Sequence, residues 1–516
     1  MLKRECLNKS FIVIFLFTAG IMFTSCGPQI VSLTPDHGVP GTIVTITGLR
    51  FGATQAEKTV KFGNTAVQPS DFISVSTTMV KVKVPAGAAT GLISVSTSKG
   101  TGKSNKNFMI DTNADWTFIV YLDADNNLEG AGLDDFQEMA SVGSKNGVNI
   151  VVMMDRIAGY SSTSPDWSNT RRFLISGNST PTSAPLMDMG ELNMGDPAVL
   201  QEFVEWSITN YPAKHYALSI WNHGDGWRKN REMMDSLRKV RAISRSGDQE
   251  TLMKAVASDD TDGDILYMRE VQDALNNARQ SLESKGNTNV KIDVIGFDAC
   301  LMGMVEVAYA IRNCTNYMVA SEETEPGDGW PYNTILADLT SNPGMTPEAL
   351  AKNIVVKYGN SYPNTAVTQA AYDMSKLEAV AQKIDDFTTK ANTNWAGLKT
   401  ARNGSRQYHP TGYPSFWGTD IWDFADRSNN NCSSTDIRNA AQELKTAINS
   451  FVIQEFHSPA MNGSHGVAIY FPPNQTSFNN DPQHTGYVQT NTIMPVDFVL
   501  LHQWDNWLPT FYSNIP

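Results

Sequence analysis

The sequence predicts an α/β domain, a mostly parallel sheet flanked by helices, preceded by a small all-β sandwich. Three observations lead there. Short runs of alternating polarity, separated by glycine and proline, crowd residues 28–110. From residue 115 onward, apolar runs alternate with stretches of helical period, as in a parallel sheet with crossover helices. Two of those runs break off at reactive polar residues, one before His223 and one before Asp298 and Cys300. At 516 residues the chain exceeds one ordinary domain. It divides on this reading into a leader (1–25), the sandwich (26–112), an α/β core (113–372) and a helical region with a closing strand (373–516) that completes the core's unit.

The leader carries Lys3 and Arg4, then an apolar stretch over 11–23 that is short for a membrane span. Phe23, Thr24, Ser25, Cys26 and Gly27 resemble the lipobox of bacterial lipoproteins, with Phe23 where leucine is usual. The resemblance implies an acylated Cys26, and so a protein lipid-anchored in the bacterial cell envelope. A plain secretory signal with a spare cysteine is the alternative. Strands follow over 30–35, 42–47, 60–63, 79–85 and 92–97. Ser32 to Pro35, Gly38, Gly41, Thr45 to Gly48, Phe51, Gly52 and the run Val60 to Gly63 resemble the immunoglobulin-like IPT/TIG module. That implies a spacer or adhesion domain without chemistry.

In the α/β part, strands are expected over 117–122, 148–154, 216–222, 292–297, 318–321, 360–373 and 466–471. Helices are expected over 133–140, 199–208 and 268–282, with 374–460 largely helical. Residues 228–258 are too long for a tight connection. Arg228, Lys229, Arg231, Arg238, Lys239, Arg241 and Arg245 crowd it, against only Glu232 and Asp235. It reads either as a solvated basic loop or as a cleavable linker.

The two interrupted runs carry the chemistry. Catalytic groups of open parallel sheets collect beyond the carboxyl ends of the strands, where both His223 and Cys300 fall. A cysteine is a nucleophile only as thiolate, and an imidazole beside it is the usual proton acceptor. Asp298, two residues before Cys300, is placed to line a pocket and select a cationic side chain by a charge-assisted contact. The N–H groups of Gly224 and Cys300 are candidate oxyanion donors. A helix expected from Leu301 would point its positive end at the sulfur. Glu322, Glu323, Glu325 and Asp328 read as a negative rim or as solvated acids, and Trp330 as an apolar wall or as core. His465, the rival histidine, precedes its strand and is expected at the opposite rim. Asp225 could orient a ring or cap a turn, and receives no catalytic role.

Composition narrows the classes. A net charge of -13 argues against nucleic acid as a partner. Beyond the leader only Cys300, Cys314 and Cys432 remain, too few for a disulfide framework, and Cys314 and Cys432 read as buried apolar groups. No zinc pattern occurs. The acids from Asp259 to Asp264 suggest a calcium loop, but EF-hand counting puts Ser258 and Arg269 where carboxylates are required.

Trp116 to Leu128, Trp221 to Gly224, Gly296 to Met302, and Ser321 to Glu323 with Glu325 to Gly327 and Gly329 to Tyr332 form four ordered blocks. Together they resemble the clostripain family of cysteine peptidases over about residues 115–510. The resemblance implies a caspase-like α/β fold, His223 as general base and acid, and Cys300 as nucleophile. It also implies Gly224 at the oxyanion site and Asp298 recognising Arg or Lys in protein or peptide substrates. Glu322 and Trp330 are expected beside that pocket. No cofactor is required, and calcium is left open, since dependence on it is known in the family but not uniform. Self-cleavage between the His and Cys blocks, known in some members, would fall in 228–245. The competing reading is a catalytically silent surface lipoprotein that binds protein or glycan.

Overall fold

The computed structural model describes residues 27–85, 88, 90–110, 114–161, 167–177, 179–180, 185–228, 257–285, 290–409, 416–487 and 496–515. The leader, Cys26 and the basic residues from 229 to 245 lie outside the described residues. No described helix is long and apolar enough to cross a membrane. The chain forms two compact units, divided after Ile110.

The first unit is a sandwich of two sheets. Gln29–Thr34, Ile43–Leu49, Met79–Lys83 and Phe72–Val75 make one; His37–Gly38, Gly100–Ile110, Gly91–Thr97, Thr59–Phe62 and Thr65–Ala66 make the other. Alternate residues Val44, Ile46, Val60, Phe62, Val80, Val82, Ile93 and Val95 fill the space between the sheets. The strand Gly100–Ile110 escapes sequence reading because only Gly102, Ser104 and Phe108 of its residues are buried.

The second unit is built on a nine-stranded sheet. Its strands are β1 (Ala114–Ala124), β2 (Val148–Arg156), β3 (Thr170–Leu174), β4 (Met187–Gly190), β5 (Ala213–Trp221), β6 (Ile292–Asp298), β7 (Thr315–Ala320), β8 (Thr368–Asp373) and β9 (Val452–His457). Their spatial order is β4-β3-β2-β1-β5-β6-β7-β8-β9. The central strands β2, β1, β5, β6 and β7 run parallel; β3, β4, β8 and β9 extend the sheet antiparallel at its two sides. Ile119 and Tyr121 face one apolar layer, whereas Phe118, Val120 and Leu122 face the other. Helix α1 (Glu129–Val142) covers the second layer with Leu133 and Phe136. Helices α2 (Pro197–Asn210) and α3 (Met268–Ser284) cover the first with Phe203 and Val271. Burial on both faces makes the central strands read as continuous apolar runs.

Several boundaries differ from expectation. Residues 360 and 361 close the helix Pro347–Ser361, and the strand begins only at Thr368. Ala468–Tyr470 joins Gly418–Asp420 and Gln407–Tyr408 in a separate small sheet, not the main one. Strand β9 lies inside the stretch expected to be helical. All six of its residues are half-buried, so no alternation marks it.

Arg228, expected in the basic stretch, is 2% exposed. Its Nη1 and Nη2 donate to Asp481 Oδ2 and Oδ1 at 3.0 and 2.6 Å, and Asp225 lies 3.7 Å from its Nε. Asp225 thus serves this buried cluster; burial pushes its carboxyl up to about 7, against the opposing pull of Arg228. Arg228→Ala would strand the Asp481 charge and is expected to cost about 3–5 kcal/mol in denaturant unfolding.

Candidate active site

Strands β5 and β6 are parallel neighbours with Trp221 opposite Asp298, so their tails leave the sheet side by side. The N–H of Asn222 donates to the carbonyl of Asp298 at 3.3 Å and joins the two tails. The Asn222 amide donates to Asp123 O and Oδ2 at 2.9 and 2.6 Å, tying the same tail to β1. These bonds lock the residue immediately before His223. The imidazole Nε2 in turn meets Asn127 Oδ1 at 2.8 Å. With that oxygen accepting, the ring proton sits on Nε2 and Nδ1 is the basic nitrogen.

Strand β6 stops at Asp298, and Cys300 occupies a turn rather than the strand. The following Leu301 has φ of 63°, a left-handed conformation that costs a side-chain-bearing residue about 1–2 kcal/mol. The turn is held by Leu301 N–H to Glu323 O at 3.2 Å and Gly303 N–H to Ser321 O at 2.7 Å. Helix α4 begins only at Val305 and has seven residues, so the expected helix start at Leu301 does not occur beside the sulfur. A backbone amide is there instead: Glu325 N–H donates to Cys300 Sγ at 3.3 Å. The thiol in turn faces the Glu325 carbonyl oxygen at 3.9 Å.

Gly224 packs on the Cys300 backbone so closely that an added Cβ would lie 2.1 Å from the Cys300 carbonyl oxygen. Only glycine fits this approach. A cavity of about 260 Å³ opens beside Cys300, lined among others by Leu128, Trp221, His223, Asp298 and Glu325. His223, Cys300 and Asp298 are therefore brought together.

The cavity is acidic in depth. Asp298 is 4% exposed and accepts from Trp330 N–H at 3.2 Å. Burial pushes its carboxyl up to about 6, against hydrogen bonds from Glu325, Tyr332 and the Trp330 backbone. Glu325 is raised well above the usual range by burial and then by the charge of Asp298. Asp135 of α1 is raised too, by burial and then by Asp298, and its Oδ2 accepts from the Trp221 indole at 2.6 Å. Of the three acids Asp298 is raised least, while Glu325 and Asp135 are pushed further above the usual carboxylate range. A Cβ on Gly329 would lie 2.9 Å from Asp298 Oδ1 and 3.3 Å from Asp135 Oδ2, so this glycine leaves the acids uncovered.

Two expected pocket residues sit elsewhere. Glu322 is 1% exposed and does not line the cavity; its Oε2 accepts from Gly466 N–H at 3.2 Å, and Asp420 and Tyr408 surround it. The strand β7 ends just before it, and the turn sends its side chain into the core. Trp330 is also core, its ring against Gly296 beneath the sheet, and only its backbone N–H reaches Asp298. Gly466 beside Glu322 puts the His465 segment just beyond the carboxyl end of β7, not at the opposite rim. His465 itself stacks on Trp422 and does not line the cavity. Cys314 and Cys432 are buried free thiols, both pushed up to about 11 by burial.

Sequence reasoning missed Asp135, Asn127 and Asn222. Asp135 is one acid among several on an amphipathic helix, and nothing local marks it. The asparagines stand inside the quoted motifs, and their adjacency to the His block was the available signal.

The family model of the clostripain family matches residues 120–509. The chain belongs to the clostripain family. An IPT/TIG domain matches residues 28–110, the whole of the sandwich. Clostripain from Hathewaya histolytica is 29% identical over 469 residues, covering 80% of this chain and 82% of its own length. Among solved structures, an inactive zymogen C11 protease from Parabacteroides distasonis shares the fold at a TM-score of 0.50 and 21% identity, over 70% of this chain and 94% of that one. A secreted C11 cysteine protease from Bacteroides thetaiotaomicron, in complex with an irreversible peptide inhibitor, does so at 0.52 and 21%, over 74% and 98%. This clostripain-family member is a cysteine peptidase with a caspase-like α/β domain behind an IPT/TIG module.

Proposed function

We propose that the protein is an endopeptidase that cleaves after Arg or Lys, with His223 and Cys300 as the catalytic pair. The supporting observation is the buried carboxyl of Asp298, which lines the same cavity as Cys300. A guanidinium or ammonium entering there meets Asp298 at once. Its charge draws the proton from Glu325 more readily, so the pocket gains negative charge as it fills. The sulfur of Cys300 attacks the carbonyl carbon, its proton passing to His223. The C–N bond breaks as His223 protonates the leaving amine, which leaves a thioester that water hydrolyses. The N–H groups of Gly224 and Cys300 are the proposed oxyanion donors.

The proposal extends to export as a lipoprotein through Cys26, with the peptidase held at the cell envelope, and to self-cleavage within 228–245. Buried Arg228 narrows that segment to the basic residues beyond it. The complex of the Bacteroides relative with an irreversible peptide inhibitor supports covalent chemistry of this kind. An acyloxymethyl ketone carrying Arg is expected to label the wild-type chain at Cys300, while its Asp-bearing counterpart does not. Absence of labelling by the Arg probe would favour the silent binding lipoprotein.

A further inference from the structure

The turn that carries Cys300 is clamped between two walls. On one side Leu301 and Gly303 donate to the carbonyls of Glu323 and Ser321, in the tail of β7. On the other side the Gly303 carbonyl accepts from Ala468 N–H at 2.9 Å. Ala468 belongs to the small sheet of Gln407–Tyr408, Gly418–Asp420 and Ala468–Tyr470, where it pairs with Asp420. A left-handed residue such as Leu301 persists only where its surroundings over-determine it. Whatever ties the two walls together therefore helps to fix the sulfur.

Glu322 ties them. Its backbone stands between Ser321 and Glu323, and its N–H donates to Thr368 Oγ1 of β8 at 2.9 Å. Its side chain, 1% exposed, crosses to the small sheet. Oε2 accepts from Gly466 N–H at 3.2 Å, and no described N–H reaches Oε1. The Glu322 carboxyl hydrogen-bonds that of Asp420, which is fully buried. Ionised carboxylates only accept, so such a contact requires one of the two to keep a proton. Both Asp420 oxygens already accept from backbone, Oδ1 from Asp423 N–H at 2.7 Å and Oδ2 from His465 N–H at 2.5 Å. Glu322 accepts from one, so Glu322 holds the proton and donates to Asp420. Burial, and then the charge of Asp420, push the Glu322 carboxyl well above its usual range, in the same sense.

We propose that Glu322, as a neutral acid hydrogen-bonded to Asp420, is a positioning residue for Cys300 that braces the turn of the nucleophile against the small sheet. The groups facing the pair are Tyr408, Tyr372 of β8, Glu455 of β9 and His465, whose Nδ1 lies 3.6 Å from Asp420 Oδ1. The positioning role rests on the proposed function of Cys300; the shared proton does not.

The test compares Glu322→Gln and Glu322→Met in the full-length chain. Glutamine keeps a neutral donor toward Asp420 and an acceptor toward Gly466, whereas methionine keeps the volume and neither bond. Glu322→Met should lower kcat for an Arg peptide at least about tenfold with KM within about twofold, because the cavity and Asp298 are untouched. Amide exchange at Leu301 and Gly303 should quicken by a similar factor. Glu322→Gln should restore both to within about threefold of wild type.

Rising pH separates wild type from Glu322→Gln. A carboxyl that keeps its proton above the usual range binds more protons folded than unfolded, so its contribution to stability falls as pH rises. Relative to Glu322→Gln at the same pH, wild type should lose urea stability and exchange protection at Leu301 and Gly303 on going to higher pH. That comparison decides alone if Glu322→Met fails to fold. Exchange rates and urea midpoints need no turnover, so an inactive wild type would sink the peptidase reading and still leave the brace to be judged. A Glu322→Met protein with wild-type kcat and exchange would overturn the proposal. So would a Glu322→Gln protein as impaired as Glu322→Met, or a difference between wild type and Glu322→Gln that stays flat with pH.

Discussion

Cys300→Ala is expected to reduce hydrolysis of Arg-containing peptides by about 10⁴-fold or more, to the residual that binding and oxyanion contacts alone provide. The fold should survive the change. The thiol is half-buried and accepts from the Glu325 N–H at 3.3 Å. The turn around it is held instead by Leu301 and Gly303 through backbone bonds to Glu323 and Ser321. Circular dichroism should therefore match wild type while turnover vanishes. The same variant reads the self-cleavage proposal. Purified wild type should migrate as two fragments and Cys300→Ala as one; wild type that is active at full length would exclude obligatory maturation.

Asp298→Asn is expected to lower kcat/KM for Arg substrates by about 10²–10³-fold, the scale of losing one partner of a buried charge pair. A substrate with an uncharged side chain at that position should lose far less. Glu325→Gln and Asp135→Asn should have smaller effects, because burial and the charge of Asp298 push both groups well above the usual carboxylate range. The pH dependence follows from the Asp298 carboxyl, raised by burial to about 6. Above that pH it is ionised and a cationic side chain binds without proton release. Below it, binding must first expel a proton, so KM for Arg substrates should rise as pH falls from about 6, and Asp298→Asn should lack this limb. The stability effect has the opposite sense. A carboxyl whose folded value lies above its unfolded 3.8 binds more protons in the native state, so its contribution falls as pH rises between those values. A kcat/KM profile with Arg and neutral substrates checks the first, and urea midpoints across the same range check the second.

The central strands were legible because burial on both faces turns them into uninterrupted apolar runs, and the interruptions at His223 and Cys300 stand out against that background. The pairing of β5 with β6 then made the two tails neighbours, as strand-end placement anticipates. The outer strands β3, β4 and β9 were not legible, since half-buried or charged residues such as Arg171 and Arg172 leave no periodic signal. Glu322 and Glu325 show the same limit inside the site. Four acids in one short stretch look alike in sequence, and the turn after β7 decides that Glu322 enters the core while Glu325 enters the cavity.

By itself, then, the sequence determined which residue types stand at the strand ends, and with them the proposed nucleophile, its histidine and the nearby aspartate. Those assignments need only local periodicity and the order of motifs along the chain. The tertiary structure alone decided which other carboxyls meet them. Asp135 comes to Asp298 from a helix far earlier in the chain. Electrostatic coupling depends on distance through space, and the separation of residues along the chain carries almost no record of it.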